Sequence, residues 1–188
     1  RVWALICVTH IASQCGDIQP AAEVGKLAKH HNVPYLLDAC QSAGQLTLDV
    51  NDIGCDFLCG SGRKYLRGPR GTGFLYVRQQ LLHQLQPVFI DLQAASWTGT
   101  QSYELKNDAS RFENWERSIA NVIGLASAAG YALELGIDSI QQRIIELTRE
   151  LRQHLQSIQG IEILERSDQL SGIVTFSMEN EEATALQQ

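Results

Sequence analysis

The stretch VPYLLDACQ, residues 33–41, decides how this chain is read. From Val33 to Ala39 it is apolar and of strand length, it carries a carboxylate at Asp38, and Gln41 stands three residues further on. Unbroken apolar character is what a strand covered on both faces of a sheet requires. Trp3 to Thr9, WALICVT, has the same character, and residues 20–31 between the two follow helical spacing. Pro20 suits a first helical turn, Val24, Leu27 and Ala28 share one face, and Asn32 is a stop. Strand, helix and strand over about 40 residues make a βαβ unit, with parallel strands and a right-handed crossover.

Further along, short strands are predicted near 55–59 and 73–78, enclosing a turn rich in glycine and cations. Residues 80–115 read as a long irregular excursion with five aromatic side chains, Phe89, Trp97, Tyr103, Phe112 and Trp115. Excursions of that length in compact domains are usually functional or disordered, and the aromatics favour function. A helix is expected from Arg117 to about Leu135, closed by Gly136, and a second from an Asp138 or Ser139 cap to about Ile158. IEILE and SGIVTFSME then read as strands, with a helix starting near Asn180. The expected fold class is α/β, a mainly parallel sheet with flanking helices over 1–136. Residues 137–188 would begin a small α+β C-terminal domain. Arg1 leads straight into an apolar run and the last residues resemble a helix cut short, so the expectation is a chain truncated at both ends.

The 188 residues carry a formal net charge of −6 and are 44% hydrophobic, enough for one core of good size. An acidic balance argues against counterion-driven nucleic-acid binding, so no nucleic-acid partner is expected. No apolar run approaches the roughly 20 residues of a membrane helix, and no membrane partner is expected. Five cysteines without a C-x-x-C pair point to a reducing, cytoplasmic compartment and to no metal site.

Open α/β sheets bind ligands at the carboxyl ends of their strands. There the sequence places Thr9, His10 and Ser13 after the first strand, Asp38 and Gln41 after the second, and Ser61, Arg63 and Lys64 after the third. A carboxylate at the rim of a core is costly without a partner, so a cation should face Asp38. A structural ion pair or a cap satisfies that requirement as well as a ligand does. Lys64 reads as a solvated loop charge, a phosphate clamp, or an amine nucleophile favoured by desolvation and by Arg63. Ser61, Arg63 and the amides of Gly60 and Gly62 suit a phosphate. A carboxylate for a cationic ring nitrogen, a Schiff-base lysine and a phosphate cradle together match pyridoxal 5'-phosphate.

The run from Leu36 to Val77 resembles the class V aminotransferase family, of pyridoxal-phosphate fold type I. That family includes cysteine desulfurases, cysteine/cystine C–S lyases and isopenicillin-N-epimerase-like proteins. Its D-x-x-Q, GCDF, S-G-(H/R)-K and GPxGxGxLY motifs are matched by Asp38…Gln41, Gly54–Phe57, Ser61–Lys64 and Gly68–Tyr76. THIASQCGDIQP upstream and RFENWERSIANVIGLASA downstream resemble further family segments, so the likeness covers nearly the whole chain. It implies that Lys64 forms the Schiff base and moves the proton at the substrate Cα. Asp38 would hold the ring nitrogen protonated, Gln41 would bond the phenolic oxygen, Ser61 and Arg63 would hold the phosphate, and Ser13 would lie near the ring substituents. Arg63 stands where desulfurases often have His, and Ser13 where they often have Asn. Trp115-Glu116-Arg117 replaces a common G-T-P, and Glu116 would repel phosphate, so that role is not carried over.

The resemblance implies a homodimeric enzyme acting on an amino acid. The motif wording favours a cysteine/cystine C–S lyase or desulfurase-like enzyme, with aminotransferase or epimerase as alternatives. A non-catalytic phosphate-ligand-binding relative is the alternative from another class. His10 and Cys40 are expected to be structural, with strand alternation pointing Cys40 away from Asp38. Trp97 and Trp115 are expected in core or interface, Arg70 at the surface, and Arg67 either at the surface or against a ligand.

Overall fold

The computed structural model describes residues 5–179. Four strands form its main sheet in the order β1 (Ile6–Thr9), β2 (Tyr35–Asp38), β3 (Phe57–Ser61), β4 (Gly73–Val77). The first three are parallel and β4 returns antiparallel to β3. Helix α1 (Ala21–His30) connects β1 to β2, and Asn32, at φ +52°, ends it as its position in the sequence predicts. The fully buried Tyr35, Leu37 and Ala39 alternate along β2 and meet Ala21 and Ala28 of α1, Ile53, Cys55 and Leu58. Burial of that apolar surface, at about 25 cal/mol per Å², anchors the sheet on one face.

Several expectations differ from the fold. The apolar run at β1 predicts cover on both faces, yet Cys7 and Thr9 are exposed while Ile6 and Val8 pack on the core. β1 is an edge strand among the described residues, and α1 covers only its inner face. Trp3, at the start of the predicted strand, and the helix predicted near Asn180 lie outside the described residues. A short helix α2 (Val50–Ile53) precedes β3, capped by the Asp49 carboxylate accepting from Asn51 N–H at 2.7 Å and closed by Gly54 at φ +72°. The irregular excursion contains a hairpin, β5 (Ala95–Gly99) and β6 (Ser102–Leu105), whose pairing slips between Trp97 and Gly99. That slip breaks the alternation by which a strand is recognised in sequence.

Helix α3 (Ile119–Leu135) opens with Ser118 as its cap and meets α4 (Ile137–Gln156) at Gly136 alone, where φ is +82° and the axes bend by 79°. Asp138 lies inside the first turn of α4 and accepts the Thr47 hydroxyl, so it ties the helix to the loop between β2 and α2 instead of capping. Strands β7 (Ile161–Ile163) and β8 (Phe176–Met178) form a separate antiparallel pair. Gln141 and Asp17 complete the attachment. Gln141 accepts from Thr47 N–H at 2.7 Å, and the Asp17 carboxylate accepts from the N–H groups of Arg166 and Ser167 at 3.0 Å. No single helix among the described residues is long and apolar enough to cross a membrane.

Candidate functional site

Because β1, β2 and β3 run parallel, their carboxyl ends share one edge, and Thr9, Asp38 and Cys59 stand in register across it. The three residue groups picked from the sequence therefore converge. Asp38 Oδ1 accepts the Cys40 amide at 2.9 Å, which orients the carboxylate. Beside it, Gln41 Nε2 donates to the Ser13 hydroxyl at 2.9 Å. His10 is buried, its Nδ1 lies 3.0 Å from Ser42 Oγ, and burial pulls its pKa below the ordinary range. That favours the neutral imidazole.

After β3, the chain closes a tight turn. Gly62 N–H donates to Thr72 O at 2.9 Å, Gly68 N–H to Gly62 O at 2.7 Å and Arg67 N–H to Lys64 O at 2.8 Å. Gly62 is required sterically, since a Cβ there would lie 2.1 Å from Thr72 Oγ1 and 2.9 Å from Leu125 Cδ1. This corrects one expectation: the Gly62 amide is spent on closing the turn and is not free to hold a phosphate. Ser61 and Lys64 are half-buried and Arg63 is exposed. A cavity of about 570 Å³ opens beside Lys64, between Gly44, Tyr65 and Arg67 on the sheet side and Ile140 and Ile144 of α4. Arg67, held at φ +60° and stacked 5.5 Å over the Tyr131 ring, lines that cavity; both it and Arg70 are exposed.

Of the ways to satisfy Asp38, an ion pair with a protein cation does not occur among the described residues. Among the described residues its hydrogen bonds come from the Cys40 amide and, at 3.9 Å, the Cys59 thiol. Cys40 does not point away: its sulfur, the Cys59 sulfur and an Asp38 oxygen lie within 4.8 Å of one another. The strand period is two residues, so a side chain two positions on returns to the same face. Burial first, then the Asp38 carboxylate, pushes the Cys40 thiol up to about 12, partly offset by the Lys64 charge. Cys59 is raised for the same first two reasons. Cys59 was legible only as an apolar strand residue, because its partner is 21 positions away. Trp97 and Trp115 are 69% and 58% exposed, which places neither in the core among the described residues.

The sequence model of the aminotransferase class-V family matches residues 2–188. A probable cysteine desulfurase of Methanothermobacter thermautotrophicus is 35% identical over 176 residues, covering 94% of this chain and 44% of that protein. One from Halalkalibacterium halodurans is 30% identical, covering 94% and 43%. The chain thus spans less than half the length of these curated relatives. Among solved structures, the apo cysteine desulfurase of Thermococcus onnurineus NA1 superposes with a TM-score of 0.84 at 27% identity, over 97% of this chain and 46% of that one. The cystine C–S lyase C-DES, solved with its reaction product cysteine persulfide, shares the fold with a TM-score of 0.86 at 24% identity, over 93% and 48%. By the match along its whole length and by the edge at which its motifs meet, the chain belongs to the class-V aminotransferase family.

Proposed function

We propose that this chain is the cofactor-holding part of a pyridoxal-phosphate-dependent enzyme that cleaves the C–S bond of cysteine or cystine. The observation that carries the reading is the placement of Asp38 and Lys64 at one edge, at the carboxyl ends of adjacent parallel strands. The donor set fits the group. Asp38 Oδ1 is held by a backbone amide, and no hydrogen bond to Oδ2 occurs among the described residues. Ser61 and Arg63 supply a hydroxyl and a guanidinium for a phosphate, and Gln41 with Ser13 forms a polar bridge at the same rim.

When bound, pyridoxal phosphate supplies an aldehyde carbon for amines and a ring that accepts electron density. Asp38 would keep a cationic ring nitrogen protonated by offering a fixed carboxylate oxygen. Lys64 would hold the group through its amine, and the same amine would move the proton at the substrate Cα. Arg67, beside Lys64 in the cavity, offers a cation to a substrate carboxylate. The names of the relatives support sulfur chemistry over transamination or epimerisation. The reading extends to a homodimer, supported by Ile119, Ile123 and Leu133, exposed along α3, and to a cytoplasmic location, supported by five free cysteines. A second domain beginning at residue 137 is part of the same reading, on the bend at Gly136 and the separate β7–β8 pair.

The test is an absorbance scan of the full-length protein with added cofactor. A violet band removed by borohydride and missing in Lys64→Ala supports the reading, as does release of pyruvate and sulfide from cystine or cysteine. No band after cofactor addition favours a non-catalytic phosphate-binding relative. A band with only sulfur-free products overturns the C–S cleavage assignment.

A further inference from the structure

Asp38, Cys40 and Cys59 form a donor set that the proposed chemistry does not use in full. One carboxylate oxygen and two sulfurs lie within 4.8 Å of one another, from the end of β2, from β3 and from the second residue beyond β2. All three residues are half-buried. Cysteine spacing in the sequence gives no sign of this, because the pair is formed across strands and not along the chain.

We propose that, with the cofactor absent, Asp38, Cys40 and Cys59 hold one thiophilic divalent cation of the zinc–cadmium class. Two sulfurs and one oxygen are the donors such ions select over magnesium or calcium. A tetrahedral zinc with sulfurs at about 2.3 Å and an oxygen at about 2.1 Å sets its donors roughly 3.5–3.8 Å apart. The observed spacing closes to that by small side-chain rotations. The fourth position remains for water. Binding releases the two thiol protons to solvent, giving two thiolates. The carboxylate is the same one assigned to the ring nitrogen, so cation and cofactor compete for Asp38; that link rests on the proposed function.

The experiment takes the full-length protein, reduced and stripped of cofactor with hydroxylamine, and titrates it with cadmium while following the ultraviolet thiolate-to-metal band. Saturation at one equivalent, with the band lost in Cys40→Ser and in Cys59→Ser, is the expected result. Circular dichroism verifies that both variants are folded. Asp38→Asn keeps the band but weakens binding by at least ~10-fold. An undiminished band in the Cys40→Ser/Cys59→Ser double variant, or no band at one equivalent, overturns the site. Prior loading with pyridoxal phosphate is expected to block uptake. Unblocked uptake that still needs both thiols keeps the cation site and removes Asp38 from the cofactor reading instead.

Discussion

Gln41 and Ser13 stand 28 positions apart in the chain, yet the amide of one donates to the hydroxyl of the other at 2.9 Å. The bond joins the segment after β1 to the segment after β2, so it reports directly on how the two parallel strands end together. If the pair belongs to the cofactor rim, Gln41→Ala weakens pyridoxal phosphate binding by about 5-fold, the worth of one hydrogen bond of ~1 kcal/mol. The melting temperature changes little, because the bond is exposed. Titration of the full-length variant by absorbance measures it.

Asp38→Asn keeps the shape of the side chain and its bond from the Cys40 amide but removes the charge. Loss of a charge-assisted contact of about 1.5–3 kcal/mol lowers turnover roughly 10- to 100-fold. Lys64→Arg retains the charge and removes the nucleophilic amine, and turnover falls by at least ~10². The two are separated by spectrum: the violet band survives in Asp38→Asn and is missing in Lys64→Arg.

Gly62→Ala forces a methyl group against Thr72 Oγ1, which is itself bonded to Pro69 O at 2.6 Å. Overpacking of this kind costs about 1–3 kcal/mol, and the urea midpoint of the variant falls accordingly.

Arg152 of α4 and Glu165 form an ion pair at 3.7 Å, with side chains 10% and 0% exposed. Arg152 Nη2 also donates to Ile173 O at 2.6 Å. Removing one partner strands a buried charge, so Glu165→Ala is expected to cost about 3–5 kcal/mol. The double variant Arg152→Met/Glu165→Leu is expected to recover most of that loss in denaturant unfolding.

Acid sensitivity is expected at Asp17. Amides of Ser167 and Arg166, with a contact from Cys15, hold its carboxyl below the usual carboxylate range despite a desolvation effect of opposite sign. A carboxyl whose folded pKa is depressed binds its proton less readily folded than unfolded. Its contribution is therefore present above the ordinary Asp range and is lost as pH falls through the lowered value. Asp17→Asn lowers the urea midpoint at pH 7 and narrows the gap between pH 7 and pH 3.

Local pattern made the βαβ unit legible, because strands and helices declare themselves through period and breaker residues. Val33–Ala39, α1 and the stop at Asn32 are of this kind. The hairpin at 95–105 was not, since the slip at Trp97–Gly99 and a largely exposed face erase its alternation. The shared edge of Asp38 and Lys64 was readable, because one ends a strand and the other stands three residues past the next.

The chain's own order of residues thus determined the strands of the main sheet, the parallel sense of the βαβ unit and the edge at which Asp38, Ser61 and Lys64 gather, since each follows from neighbours a few positions away. Only the tertiary structure decided that Cys59 meets Asp38 and Cys40, that the Gly62 amide closes a turn, and that Arg67 lines the cavity beside Lys64. Those depend on register between strands and on helix α4 folding back, contacts between residues far apart in sequence that no local period encodes.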